Sequence, residues 1–324
     1  MPVRNFRPCL KMGSCLSVVL GVVLGVPACK PNVGQPPSLV TDYALLAVRG
    51  EPPEAKPGSS VTYSFLLASP IGTIDSADAL WDICQTPKPP SESNAVSSAC
   101  ASAPDAGTTT TGQTYTAAIP AKACQLFGPI APPPAAGQPS IRPRDPDSTG
   151  GYFLPVQLWL PNVTTTAISG FAMERITCNL ANASSDIIAK YSAEYTPNND
   201  PLIDHAVIID ASGNSLSLDA GEVPLSSGSA VTIEAGLVDG SAETFPVYNL
   251  ETESLSDQVE SLHLFWFATG GSFERDRTTV DPGALTTSNR WTLPSGPGAY
   301  YLWIVVRDSR GGTDFKSYQV AVAP

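Results

Sequence analysis

The chain predicts a mainly β protein: two antiparallel β-sandwiches in tandem, the first with a long disulfide-pinned insertion and one short helix. Three observations carry this. Only 15% of the 324 residues are charged while 42% are hydrophobic, enough for a packed core. Long runs of Glu, Lys, Leu and Ala, the material of helices, are scarce. Short stretches of alternating apolar residues recur instead, separated by Gly, Pro, Asn and Asp.

The N-terminus is organised differently. Arg4, Arg7 and Lys11 form a basic head without an acid, followed by the apolar run Cys15–Val26 and then Pro27-Ala28-Cys29. This is the pattern of a secretory signal, with an apolar core shorter than the ~20 residues that span a bilayer. Val26-Pro27-Ala28-Cys29 resembles the lipobox of bacterial lipoproteins, in which the cysteine is acylated and becomes the first mature residue. The resemblance implies a signal peptide over 1–28, lipidation at Cys29 and membrane attachment through the N-terminal lipid, which several acyl chains hold far better than one. Lys30 stands where an inner-membrane retention signal would have Asp, so the resemblance implies the outer membrane of a cell envelope.

Cleavage removes three of the 18 basic residues and none of the 30 acidic ones, leaving a formal charge of −15. Such a chain gains nothing from counterion release on nucleic acid, so no nucleic-acid partner is expected. Beyond Cys29 the mature chain holds Cys84, Cys100, Cys124 and Cys178. An even number in an exported protein predicts two disulfides. Three pairings are possible; the short loop between Cys84 and Cys100 favours that pair, with Cys124–Cys178.

Residues 29–40, rich in Pro and Gly, read as a tether. The first domain, 41–196, has strand candidates at Tyr43–Val48, Val61–Ala68, Ala79–Cys84, Tyr115–Ile119 and Gly151–Leu160, with a further apolar stretch at Ser169–Cys178. Residues 85–150 form the insertion, loosest near 129–148. A helix is predicted over Ser184–Tyr195, with Ser184 as cap, Asp186 at the positive end of its dipole, and Ile188, Tyr191 and Tyr195 on one face. Pro197–Pro201 marks the linker. The second domain, 202–324, offers strands at Ala206–Asp210, Ala230–Val238, Leu262–Ala268, Arg290–Leu293, Ala299–Asp308 and Ser317–Val322. Its complete strand set predicts independent folding, with Trp266 the most buried of Trp266, Trp291 and Trp303.

Ser261–Phe273 with Trp266 and a Gly-Gly turn, Asn289–Pro294, and Gly298–Thr313 with its Asp-Ser-Arg-Gly-Gly turn together resemble the PKD and immunoglobulin-like modules of bacterial surface proteins. The resemblance covers about 120 residues and implies fold rather than activity. A faint internal repeat extends it to the first domain: Gly58-Ser-Ser-Val-Thr62 parallels Gly228-Ser-Ala-Val-Thr232, Trp81 parallels Trp266, and Gly151-Tyr152 parallels Gly298–Tyr300. In signal, composition and module type the whole chain resembles surface lipoproteins of predatory and social, myxobacteria-like soil bacteria.

No catalytic motif is present: no Gly-x-Ser-x-Gly elbow, no His-Glu-x-x-His and no phosphate loop. The chain is therefore expected to be non-catalytic and without a cofactor, a binding or structural surface module. A carbohydrate- or protein-binding accessory subunit of an envelope complex is the alternative. A hydrolase using a carboxylate pair, such as Glu251/Glu253 or Asp145/Asp147, comes third. Asp239, Glu243 and Asp308 lie in turns that such modules gather at one end and form a candidate calcium site, against the plainer expectation of unliganded acidic loops. Tyr301 and Trp303 alternate with core residues and form a candidate binding strip, unless the other domain covers them.

Overall fold

The structure is a computed structural model. It describes residues 35–89, 91–104, 107–129, 136–137, 151–180, 183–221 and 223–324. The signal peptide, Cys29, Asp145, Asp147 and most of the loose segment lie outside these residues. Within them no helix is long and apolar enough to cross a membrane.

The first half contains β1 (Ala44–Glu51), β2 (Glu54–Ala55), β3 (Ser60–Ser69), β4 (Gly72–Thr73), β5 (Asp78–Ile83), β6 (Thr108–Thr111), β7 (Thr114–Ala118), β8 (Gly151–Leu160) and β9 (Ile168–Thr177), with α1 (Ala123–Leu126) and α2 (Ser185–Glu194). The second half contains β10 (Ile203–Ile209), β11 (Ser215–Ser217), β12 (Val223–Ser226), β13 (Ala230–Leu237), β14 (Thr244–Asn249), β15 (Ser254–Val259), β16 (His263–Ala268), β17 (Ser272–Phe273), β18 (Arg277–Thr279), β19 (Thr286–Thr292), β20 (Gly298–Arg307) and β21 (Thr313–Ala323).

These strands build four main sheets. Sheet I runs β2-β9-β8-β5-β6, and sheet II has β3 between β1 on one side and β4 and β7 on the other. Sheet III runs β12-β21-β20-β16-β18 and sheet IV runs β11-β10-β13-β19-β17. Pairing is antiparallel as expected, except for two short parallel edge pairs, β2 with β9 and β12 with β21.

Three cores separate the four sheets. Val61, Tyr63, Phe65 and Leu67 of sheet II meet Trp81, Tyr152, Leu154, Val156 and Leu158 of sheet I. Leu264, Trp266, Leu302 and Ile304 of sheet III meet Ile208, Val231, Ile233 and Trp291 of sheet IV. Between these sandwiches lies a third layer, in which Ala47, Leu66 and Ala68 of sheet II pack on Trp303 and Val305 of sheet III. Sheets II and III are thus buried on both faces, so β3 reads Phe65-Leu66-Leu67-Ala68 and β20 reads Leu302-Trp303-Ile304-Val305-Val306 without a polar interruption. Simple alternation, clean in β19 of sheet IV, does not hold in these two strands.

This middle layer corrects two expectations. Trp303 is fully buried, and Tyr301 stacks on it with ring centroids 6.2 Å apart, so the two do not form an exposed binding strip. Trp266 is not distinguished by burial either, since Trp266, Trp291 and Trp303 are each 0% exposed. The second half also borrows cover from the first, so residues 202–324 alone would bare the Trp303 face.

The repeat motifs occupy matching places. Gly58 and Gly228, at φ of 87° and 65°, make the turns that lead into β3 and β13. Two disulfides pin the first half, Cys84–Cys100 and Cys124–Cys178, each with Cα atoms 5.8 Å apart. The inserted segment contributes β6 to sheet I and β7 to sheet II. The Ser184 hydroxyl caps α2 by accepting the Ile187 N–H at 3.4 Å. The end of the expected tether is built into the fold: Val40 N–H donates to the Ala268 carbonyl, and Ala268 N–H to that of Ser38, both at 2.9 Å.

Candidate functional site: a buried charged junction

The charged residues that the structure buries gather at one end of the seam between the sandwiches. They are Glu54, Glu174, Arg175, Glu260, Asp308 and Arg310, four acids against two bases. A charge removed from water needs a partner, and here the partners come from both halves.

Arg310 is the centre, 1% exposed. Its turn is set by Asp308, whose Oδ1 accepts the N–H groups of Arg310, Gly311 and Gly312 at 2.8, 2.7 and 2.9 Å. A Cβ on Gly312 would sit 2.1 Å from Asp308 Oδ2, so the turn requires glycine there. From this turn Arg310 Nε donates to Glu260 and Nη2 to Glu243, both at 2.5 Å. Nη1 reaches into the first half and donates to the Tyr195 hydroxyl at 3.2 Å and the Thr196 carbonyl at 3.0 Å. The guanidinium also lies over the Phe245 ring, 4.6 Å from its centroid.

Glu54 answers from the first half. Its Oε2 accepts the Tyr195 hydroxyl at 2.6 Å and the Asn198 N–H at 3.0 Å, and Arg175 Nε lies 3.3 Å away. Its Oε1 accepts the Thr177 hydroxyl at 2.9 Å. The connecting segment Thr196–Pro201 is woven through the same seam. Asn198 Nδ2 donates to Asp308 Oδ2 at 3.1 Å, and Asn199 Nδ2 donates to Glu243. Asp200 accepts the Thr313 N–H at 2.7 Å and Arg49 Nε at 2.9 Å. Arg49 Nη1 donates in addition to Asp314 at 3.2 Å. Nearby, α2 lays Tyr191 against Tyr248 of β14.

The excess of acid shows in the protonation equilibria. Burial, then the charge of Asp200, pushes the Glu174 carboxyl up to about 9. Burial, then the Asp308 charge, pushes Glu260 up to about 7 despite its bond to Arg310. Burial raises Asp308 against the pull of Asn198, and raises Asp200 against the pull of the Thr313 N–H and Arg49. Glu174 Oε1 and Asn198 Oδ1 are buried acceptors without a hydrogen-bond partner. A neutral Glu174 leaves less charge stranded in that position.

The predicted site residues are distributed as follows. Glu243 and Asp308 both join the junction, Glu243 through the Arg310 guanidinium and Asp308 through the backbone N–H of Arg310. Asp239 is exposed, on the same β13–β14 connection as Glu243 but not among the residues bonded at the junction. Among the described residues no group of three or more His, Cys, Asp or Glu side chains is placed to hold a metal ion. Glu251 and Glu253 lie exposed in the β14–β15 turn. The junction residues that the sequence did not mark as site candidates include Glu54, Glu174, Arg175, Tyr195, Glu260 and Arg310. Only the turn motif around Arg310 gave a signal, and that was for a turn.

Beside the junction is a half-open cleft of about 430 Å³, lined by Lys56, Thr177, Asn179, Tyr191, Ser192 and Tyr195 together with the Cys124–Cys178 bond. A polar groove of about 340 Å³ crosses sheet IV between Thr232, Arg275, Ser288 and Arg290. The perturbed carboxyls of Glu174 and Glu260 line neither of these.

No protein-family model and no curated protein matches the chain. Similar solved structures include the D0-D1 domain of intimin, at 10% identity over 85% of this chain and 98% of that one, with a TM-score of 0.22. The tandem Ig repeats of Dlar match at 11% identity over 88% and 99%, also at 0.22. Domains 4 and 5 of the S-layer protein SbsC match at 10% identity over 86% and 99%, at 0.19. At these TM-scores the fold rests on the strand pairing described above rather than on the likenesses.

Proposed function

We propose that the chain is an exported, lipid-anchored module of the cell envelope, non-catalytic, whose paired sandwiches work as one stiff binding or structural body. One observation carries this reading: the buried charges are spent on joining the two halves. A flexible tandem has a small polar interface of its own; here an apolar layer and a helix contact cross the seam, and so do the charged contacts of Arg49 with Asp314 and of Arg310 with Glu54 and the Tyr195 hydroxyl. The two disulfides fit an oxidising compartment. The anchor is Cys29, and Lys30 after it favours the outer membrane.

The test is metabolic labelling with palmitate and fractionation of Cys29→Ala beside the wild type. The reading expects label in wild type only and release of the variant into the soluble fraction. An unlabelled wild type, or a variant that stays with membranes, contradicts the anchor.

A second reading has its own support. The cleft near Tyr191 falls within the roughly 300–1,000 Å³ of small-ligand sites and mixes aromatic with amide, hydroxyl and amine groups. It suits the accessory-subunit alternative. Retention on peptidoglycan or glycan resins that is lost on Asn179→Ala would favour it.

A further inference from the structure

We propose that the end of the molecule bearing Ile71 is the face that rests on the phospholipid surface, an assignment that rests on the acylated Cys29 proposed above. The two ends of the paired sandwiches differ in chemistry. One carries the charged junction. At the other, the turns Ser69–Gly72, Ser226–Ser229, Thr269–Ser272 and Pro294–Gly298 and the connection Pro161–Ala167 contain no Asp, Glu, Lys or Arg. Asp42, Asp75 and Asp78 are acids close to these turns among the described residues. Uncharged loops keep the cost of approaching lipid headgroups and acyl chains low.

Ile71 is the tip of this end, and at 77% exposure it leads the exposed large hydrophobic side chains. Its turn is held rigidly. The Ser69 hydroxyl donates to the Gly72 carbonyl at 2.9 Å, and Ile71 N–H donates to Ser69 Oγ at 3.3 Å. Gly72, at φ of 125°, lies so close to Tyr301 that a Cβ would come 2.9 Å from the ring. Tyr43, 38% exposed, precedes Ala44, which pairs with Ala68 at the same end. An aliphatic tip with a tyrosine beside it suits the boundary between headgroups and acyl chains.

The chain itself brings the anchor to this end. Ser38–Val40 is pinned to Ala268, whose neighbour Thr269 bonds to Tyr301. Cys29 lies seven residues before Pro36. A segment of that length reaches at most ~25 Å even when fully extended. An acylated Cys29 therefore holds the Ile71 end, and not the charged end, against the bilayer.

The experiment uses the full acylated protein in phosphatidylethanolamine–phosphatidylglycerol vesicles. Ile71→Cys and, at the opposite end of sheet IV, Leu285→Cys are each labelled with a polarity-sensitive fluorophore. Spin-labelled lipid should quench the Ile71→Cys label at least twofold more than the Leu285→Cys label. Vesicle-bound protein with equal quenching, or stronger quenching at Leu285→Cys, overturns the orientation while leaving the anchor standing. A label at Ile71→Cys that is shielded from aqueous quencher but untouched by spin-labelled lipid assigns the face to a protein partner or second copy and also overturns it. Protein that carries no acyl chain and stays off vesicles removes the anchor and the proposal together.

Discussion

The indole Nε1 of Trp303 donates a 2.8 Å hydrogen bond to Thr73 Oγ1, 230 residues earlier in the chain. An aromatic ring with its one polar atom satisfied across a domain seam is a strong fixture. It shows that the outward face of β20 is an interior surface. Trp303→Ala should lower stability by ~3–5 kcal/mol, the usual cost of truncating a large buried aromatic. Chemical denaturation would check this, and a loss below ~1 kcal/mol would show that the seam tolerates a cavity. Residues 202–324 expressed alone should expose this face and aggregate or unfold more readily than the full chain.

The ion network gives a second prediction. Removing one member of a buried pair strands the other charge, at a cost of ~3–5 kcal/mol. Arg310→Ala strands Glu260 and frees Glu243, so it should destabilise the protein by about that much. Arg310→Ala combined with Glu260→Gln should be less damaging than the sum of the single changes, because no ionised Glu260 is then left behind. Strict additivity in a double-mutant cycle would argue against direct coupling.

Much of the fold was legible in the sequence. Strands β16 and β19 alternate cleanly, Ser184 caps its helix, Trp81 and Trp266 sit in matching cores, and the cysteines pair within one half. The hairpin β14–β15 was not legible, since Pro246 interrupts the first strand and four of the six residues of the second, Ser254–Val259, are polar or charged. The junction was not legible for a deeper reason. Glu54, Arg175, Tyr195, Glu260 and Arg310 are scattered over more than 250 positions; each of the charged ones in isolation reads as a surface residue, and Tyr195 as part of a helix face. Only the four-layer stack brings them together. The uninterrupted runs at Phe65–Ala68 and Leu302–Val306 were the available signal that a strand is covered on both faces.

Acidity should stabilise this protein over an unusual range. The folded chain holds a proton on Glu174 up to about 9, whereas the same carboxyl when unfolded releases it near 4.5. Between those values the native state binds more protons, so stability falls as pH rises, by at most about 1.4 kcal/mol per pH unit for one such group. Glu260, pushed up to about 7, adds to the lower part of the window. Melting temperatures should therefore decline from pH 5.5 to pH 9. Glu174→Gln, which imitates the protonated form, should flatten the upper part of that decline. A melting temperature that rises across the range would contradict the assignment.

The two disulfides should differ in weight. Cys124–Cys178 closes a separation of 54 residues and Cys84–Cys100 one of 16. Loop entropy alone gives ~4 kcal/mol for the first and ~3 kcal/mol for the second. Replacing Cys124 and Cys178 together by Ser should thus cost more than replacing Cys84 and Cys100. Denaturant midpoints of the two double variants would show the order, and a reversal would mean that native contacts, not chain entropy, dominate.

Differential scanning calorimetry of the mature protein tests most directly whether the two sandwiches are one body. A shared apolar layer and a common ion network predict a single transition whose calorimetric and van't Hoff enthalpies agree, and Trp303→Ala should shift that transition as a whole. Two separable transitions in the wild type, with Trp303→Ala moving only one of them, would contradict the account.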